Sequence, residues 1–237
     1  MKVRIAYLDE PPFYWTAEDK SVVGADIELA EVVLRAIGAT SIEFVHTAFS
    51  ELLPGVQEGR WDMNVPIFVT PERARSVAFS RPVWALVDGF VVRAGNPKAL
   101  TSYEAVAARN DARLGVIAGQ VQVDSARAAG VVDAQMSVFR NQPEAVAALI
   151  AGHIDAFAGT AVGNRVVAAG NMGLESVAHS VGQGASVPVG AFSFSKNNPA
   201  LLAAVDEQLR AYLGSPDHRA RMAKYGLTRS EIDSVVA

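Results

Sequence analysis

The chain has 237 residues and a formal net charge of −4; half of its residues are apolar, 19% are charged and none is cysteine. That length suits two lobes of roughly 100 residues each, and the composition is that of a soluble globular chain. Disulfides, thiol catalysis and Cys-based zinc sites are excluded; scattered Lys and Arg make no basic stripe for nucleic acid; and no uncharged run reaches the ~18 apolar residues of a membrane helix.

Strand and helix patterns alternate, which predicts an α/β fold with mostly parallel sheets. Residues 2–8 read as a strand, with no basic-then-apolar leader before it, so the chain is either cytosolic or the mature part of an exported protein. Residues 24–38 read as a helix whose apolar Ile27, Ala30, Val33, Leu34 and Ile37 share one face. Residues 42–45 read as a strand, and Ser50 is expected to cap a short helix over 51–58. Thr70-Pro71-Glu72 is a compact helix start, with a capping hydroxyl, Pro in the first turn and an acid favoured by the helix dipole. Further strands are expected at 90–92, at 114–117 and at 187–194. Asn198-Pro199 opens a helix over 200–213, Ser215-Pro216 opens another, and Thr228 with Glu231 has capping-box spacing.

One internal similarity bears on organisation. Residues 51–62 align without gaps on residues 144–155, each a helix, a Gly stop, two residues and an Asp leading into a strand. Any helix–Gly–strand unit shares some of this pattern; the alternative is two lobes built on one plan, with a ligand cleft between them.

No Walker phosphate loop, Gly-x-Ser-x-Gly elbow, HExxH or GxGxxG is present. His46, His153, His179 and His218 lack ligand spacing and read as structural or surface residues. Gly115-Val116-Ile117-Ala118-Gly119 ends a strand before a helix and could offer backbone N–H groups to an anion, although it lacks the phosphate-loop Lys. The most specific string is Thr70-Pro71-Glu72-Arg73 followed by Phe79-Ser80-Arg81-Pro82. A planar guanidinium in the first turn of a short helix can clamp a carboxylate with two parallel hydrogen bonds; a surface Arg in a charged turn is the bland alternative.

Pro11-Pro12-Phe13, then Gly24-Ala25-Asp26-Ile27-Glu28, then T-P-E-R with F-S-x-P resembles the solute-binding proteins of polar amino-acid uptake transporters, family 3, over nearly the whole chain. The resemblance implies a two-lobed type II periplasmic-binding-protein fold with two hinge strands and a ligand cleft between the lobes. It places lobe 1 at 1–94 plus 190–237 and lobe 2 at 95–189, with the crossings near 92–95 and 187–191. It gives Arg73 the ligand carboxylate.

The chain departs from the α-amino-acid pattern of that family at three places. Phe68 stands two residues before Thr70, where a small hydroxyl is usual. Thr160 stands where an acid usually holds the α-ammonium, and Gln120-Val121-Gln122 replaces the usual Thr-rich anion clamp. An ammonium left unpaired in a closed cleft costs several kcal/mol. Glu10, Phe13, Phe49 and Phe68 all fall near expected strand ends of lobe 1, and aromatic faces with one acid suit a delocalised cation. Glu10 to Phe13, Phe68, Ser102-Tyr103 and Asn141-Gln142-Pro143 are similar to the ectoine- and hydroxyectoine-binding branch. The resemblance therefore implies Arg73 for the carboxylate, Glu10 for the ring N–H groups and Phe13, Phe68 and Phe49 for the ring, with Gln122 and Thr160 from lobe 2. It implies no metal, no cofactor, no nucleic acid and no catalytic role. The expected protein is a monomer in the periplasm or cell envelope, with a small zwitterionic ligand and the membrane permease of an ABC importer as partners. A binding protein for a polar or modified amino acid, a cyclohexadienyl-dehydratase-like enzyme and a sensor domain are the alternatives on the same fold.

Overall fold

The computed structural model describes residues 1–180 and 186–236. The chain divides into two compact units, Met1–Leu8 with Pro12–Leu86 and Pro188–Ala237, and Asp9–Pro11 with Val87–Val187.

The first unit opens with strand β1 (Lys2–Tyr7), the short ribbon of β2 (Trp15–Thr16) and β3 (Val22–Val23), and helix α1 (Ala25–Ala36). Helix α1 buries Ile27, Ala30, Val33 and Leu34, as its spacing requires. No side chain caps it; its first amides are taken by the carbonyls of Pro12 and Phe13. Gly24 makes that approach possible, because its φ is +135° and a Cβ there would lie 2.2 Å from the Phe13 carbonyl oxygen. The chain continues through β4 (Ser41–His46), α2 (Leu52–Gln57), β5 (Met63–Phe68), α3 (Pro71–Ser76), β6 (Ala78–Phe79) and β7 (Trp84–Ala85). Ser50 does not cap α2. It lies in a single 3-10 turn over Phe49–Glu51, where Glu51 is already helical and its amide is taken by the Ala48 carbonyl.

The second unit holds β8 (Asp88–Arg93), α4 (Tyr103–Ala107), β9 (Leu114–Ile117), α5 (Val121–Ala128), β10 (Met136–Phe139), α6 (Gln142–Ile150), β11 (Ala156–Thr160), α7 (Ala161–Gly170) and β12 (Leu174–Ala178). Its sheet runs β10-β9-β11-β8-β12 over a core that includes Phe90, Val92, Leu114, Val116, Ala156 and Ala158. The chain then returns to the first unit with β13 (Val189–Phe194), α8 (Pro199–Tyr212), α9 (Pro216–Ala223) and α10 (Arg229–Ile232). Strand β13 completes a sheet of order β4-β1-β5-β13-β6. Asn198, Ser215 and Thr228 cap α8, α9 and α10.

The division differs from the sequence expectation. Asp9–Pro11, and with them Glu10, were expected in lobe 1 but group with the second unit. Residues 87–94 were expected in lobe 1, but β8 pairs antiparallel with β11 and β12 and so belongs to the second unit. The crossing expected near residues 92–95 falls at Leu86–Val87.

The two sheets follow one plan. In each, parallel strands precede an antiparallel one, β13 against β5 and β8 against β11. The aligned segments match in detail. Gly59 and Gly152 end their helices with φ of +72° and +78°, and the next residues donate back to the carbonyls of Gly55 and Ala148, each at 2.9 Å. Asp62 donates its amide to the Arg4 carbonyl at 3.0 Å and accepts from the Arg4 amide at 2.8 Å; Asp155 does the same with Arg113 at 2.8 and 2.9 Å.

His218, in the first turn of α9, is fully buried, and its Nδ1 accepts from the Gly214 amide at 3.1 Å. Burial, aided by the Arg219 charge and opposed by Asp217, pushes its pKa down to about 4 from 6.5. Between those values the unfolded chain takes up a proton that the folded chain refuses. The neutral imidazole thus adds stability above pH 6.5, and that contribution is lost as pH falls toward 4, on the order of 3 kcal/mol in all. His218→Asn keeps an acceptor for Gly214 but does not titrate. Paired thermal melts from pH 7 to 4 should show a shallower decline for the variant; parallel declines would remove His218 from the acid response.

Candidate functional site

In the first unit, the strand–turn–helix from β5 to α3 positions Arg73. Thr70 caps α3 by accepting from the Arg73 amide at 3.1 Å, and Pro71 occupies the first turn. Arg73 is 8% exposed, and its guanidinium donates to the Phe68 carbonyl at 2.7 Å and lies over the Phe49 ring at 5.2 Å. The cation is thus held by a carbonyl at the end of β5 and the face of one ring.

Phe68, at the end of β5, packs edge-on against Trp84 with ring centres 5.2 Å apart. Phe13 also contacts this cluster, its ring centre 6.0 Å from that of Trp84 and 6.3 Å from that of Tyr14. The structure therefore brings Arg73, Phe49, Phe68 and Phe13 into one connected group, with Trp84 as the link the sequence reading missed. No local motif marks Trp84. Its place depends on β7 pairing with β13, where Gly190 sits opposite it. The indole Nε1 donates to the buried Asp26 carboxylate at 3.2 Å, which ties the aromatic cluster to the first turn of α1.

In the second unit, Glu10 accepts from Gln120 Nε2 at 3.0 Å, and Gln122 Nε2 donates to Asp88 Oδ1 at 2.8 Å. The start of α5 thus aims two amides at two different carboxylates. Gln122 is 2% exposed and its amide is occupied within the unit. The Thr160 hydroxyl caps α7, accepting from the Gly163 amide at 3.2 Å. Directly across the antiparallel ladder from Thr160 stands Asp88, which the sequence reading missed. Its available signal was a single acid opening the otherwise apolar run Gly89-Phe90-Val91-Val92. Asp88 Oδ2 also accepts from the Tyr103 hydroxyl at 2.8 Å. Burial raises the Asp88 carboxyl above its ordinary range, against the opposing hydrogen bonds from Tyr103 and Gln122. His179 packs edge-on against Phe90 and Tyr103, and burial lowers its pKa below the usual imidazole value.

Among the described residues no three His, Asp or Glu side chains gather to hold a metal ion, and no helix is long and apolar enough to cross a membrane.

Comparison with known proteins places this fold. Residues 3–228 match the family model of bacterial extracellular solute-binding proteins, family 3, and the chain belongs to that family. It is 27% identical to a probable amino-acid ABC transporter periplasmic-binding protein, y4tE of Sinorhizobium fredii, over an alignment covering 98% of this chain and 79% of that protein. Among solved structures it is similar to EhuB in complex with hydroxyectoine, with a TM-score of 0.88, 26% identity and coverage of 100% and 94% of the two chains. It is also similar to an amino acid ABC transporter substrate-binding protein from Streptococcus pneumoniae bound to L-arginine, with a TM-score of 0.83, 25% identity and coverage of 94% and 93%. These likenesses agree with the two-lobed type II periplasmic-binding architecture.

The aromatic cluster gives a direct test of packing. A Cβ on Gly190 would lie 2.0 Å from the Trp84 ring. Gly190→Ala must displace the indole, at a cost of about 1–3 kcal/mol for overpacking. A lowered melting temperature with altered tryptophan emission is expected; a variant that melts like the parent would contradict the close approach.

Proposed function

We propose that this chain is the extracytoplasmic solute-binding subunit of an ABC importer and takes up a small zwitterion with a delocalised cation, such as ectoine or hydroxyectoine. The observation that carries this reading is the grouping of Arg73 with Phe49, Phe68, Phe13 and Trp84 in the first unit. A guanidinium supplies a planar fork for a carboxylate, and aromatic faces favour a poorly hydrated cation over a strongly hydrated one. Glu10, held by Gln120, is an acceptor for cationic N–H groups. In this reading the protein acts by binding and delivery to a membrane permease, as a monomer and without chemistry on the solute. The full-length likeness to a hydroxyectoine-bound protein supports the ligand class.

A second reading, a cationic amino acid such as arginine, is favoured by the likeness to the arginine-bound streptococcal protein. Titration calorimetry with ectoine, hydroxyectoine, arginine, glutamine and histidine separates the two. Tight arginine binding with no ectoine signal would replace the first reading by the second.

Two substitutions test the site. Arg73→Lys keeps the charge but loses the fork, so affinity should fall about 10-fold or more. Phe68→Leu keeps an apolar side chain but removes the aromatic face. Its affinity should fall several-fold, in line with ~0.5–2 kcal/mol for a cation–π contact, while the melting temperature stays near the parent's. If both variants bind like the parent, the ligand does not use this group.

A further inference from the structure

We propose that Asp88 is a specificity-determining acid that accepts N–H groups from the solute's cation, whether amidinium, guanidinium or ammonium. This inference rests on the solute-binding reading above and identifies a partner for the cation beyond Glu10.

The argument begins with charge. Asp88 is half-buried where the chain enters the second unit. Each carboxylate oxygen accepts one hydrogen bond from a neutral donor, Tyr103 Oη on one and Gln122 Nε2 on the other. A carboxylate offers about four acceptor positions, so each oxygen retains capacity. Among the described residues no Lys or Arg pairs with it. His179, whose backbone N–H bonds the Asp88 carbonyl, has a lowered pKa and is not a counter-cation near neutral pH. Partly desolvating a carboxylate without a counter-charge is costly. Two fixed dipoles hold this one in a single orientation, which is how a preorganised acceptor for a cationic ligand is built.

Placement adds a second line. Asp88 and Thr160 are register partners, so their side chains stand on the same face of the sheet. The Thr160 hydroxyl is committed to the cap of α7. Asp88 is therefore the ionisable member of that pair. Gln122, which orients it, lies two residues beyond the α5 N-cap Gln120, which bonds Glu10. The beginning of one helix thereby steadies two acids, as a cation with N–H groups in more than one direction requires.

The test uses the full chain and calorimetry with ectoine and with arginine. For whichever of the two the parent binds, Asp88→Asn, which preserves shape and removes charge, should weaken affinity about 10- to 100-fold, the range of a lost charge-assisted hydrogen bond. The ligand-free variant should melt within a few degrees of the parent. Asp88→Glu should recover part of the lost affinity, which a purely structural role would not produce. A second measurement, independent of how the variant folds, uses the unmutated protein. The Asp88 side-chain carboxyl carbon, followed by NMR, should shift on saturation with the bound solute. An Asp88→Asn affinity within twofold of the parent, or an unmoved carboxyl resonance at saturation, overturns the proposal and leaves the binding function intact. Failure of the parent itself to bind any zwitterion in the panel overturns the functional reading, and this proposal with it.

Discussion

Parallel strands impose a constraint that most of this structure serves. They cannot be joined by a tight turn, so each needs a crossover helix that stops in register with the next strand. In both units that stop is made by a glycine in left-handed conformation and an aspartate that exchanges hydrogen bonds with an arginine of the neighbouring chain segment. Asp62 also receives the Arg4 guanidinium at 2.9 Å, and Asp155 receives Arg93 at 3.1 Å and Lys98 at 2.8 Å. Burial alone would raise both carboxyls, but these hydrogen bonds and charges outweigh it and hold them below the ordinary carboxylate range. With β5 and β11 fixed in register, the residues at their far ends, Phe68 and Thr160, are fixed as well.

The site elements differ in how their polar groups are satisfied. In the first unit the work falls to backbone and rings: Arg73 rests on a carbonyl and a phenyl face, and Trp84 reaches one buried carboxylate. In the second unit it falls to amides and a phenol directed at acids. A carboxylate whose donors are neutral, as at Asp88, keeps its charge uncompensated by those contacts.

Features written locally were legible in the sequence. The Thr70 cap, Pro71 and the first-turn Arg73 occupy consecutive residues, and the structure forms that helix as the spacing requires. The paired helix–Gly–Asp segments were legible for the same reason. Trp84 and Asp88 were not, because their neighbours come from distant parts of the chain: Gly190 against Trp84, Thr160 and Gln122 against Asp88. The unit boundary failed on the same ground. Nothing within residues 87–94 states that β8 will pair with strands beginning 68 and 86 residues later; only long-range pairing decides it. The departure at Thr160 was visible, but an acid supplied by the facing strand was not, so the absence of an acid at one position said little about the charge of that sheet face.

The position of β13 carries a consequence for the order of folding during synthesis. It lies between β5 and β6, and Asn64 of β5 bonds Ser193 of β13 across 129 residues. The first sheet to be translated therefore lacks an internal strand until residues 189–194 have left the ribosome. The second sheet draws all its strands from one uninterrupted stretch, Asp88 to Ala178, and can pair them without waiting for the C-terminal segment. Closing the longer loop carries the larger entropic cost and the slower step. The half of the protein that begins first is thus the half that finishes last, and while it waits, the edge of β5 is an unpaired strand edge that a nascent chain must keep from other partners.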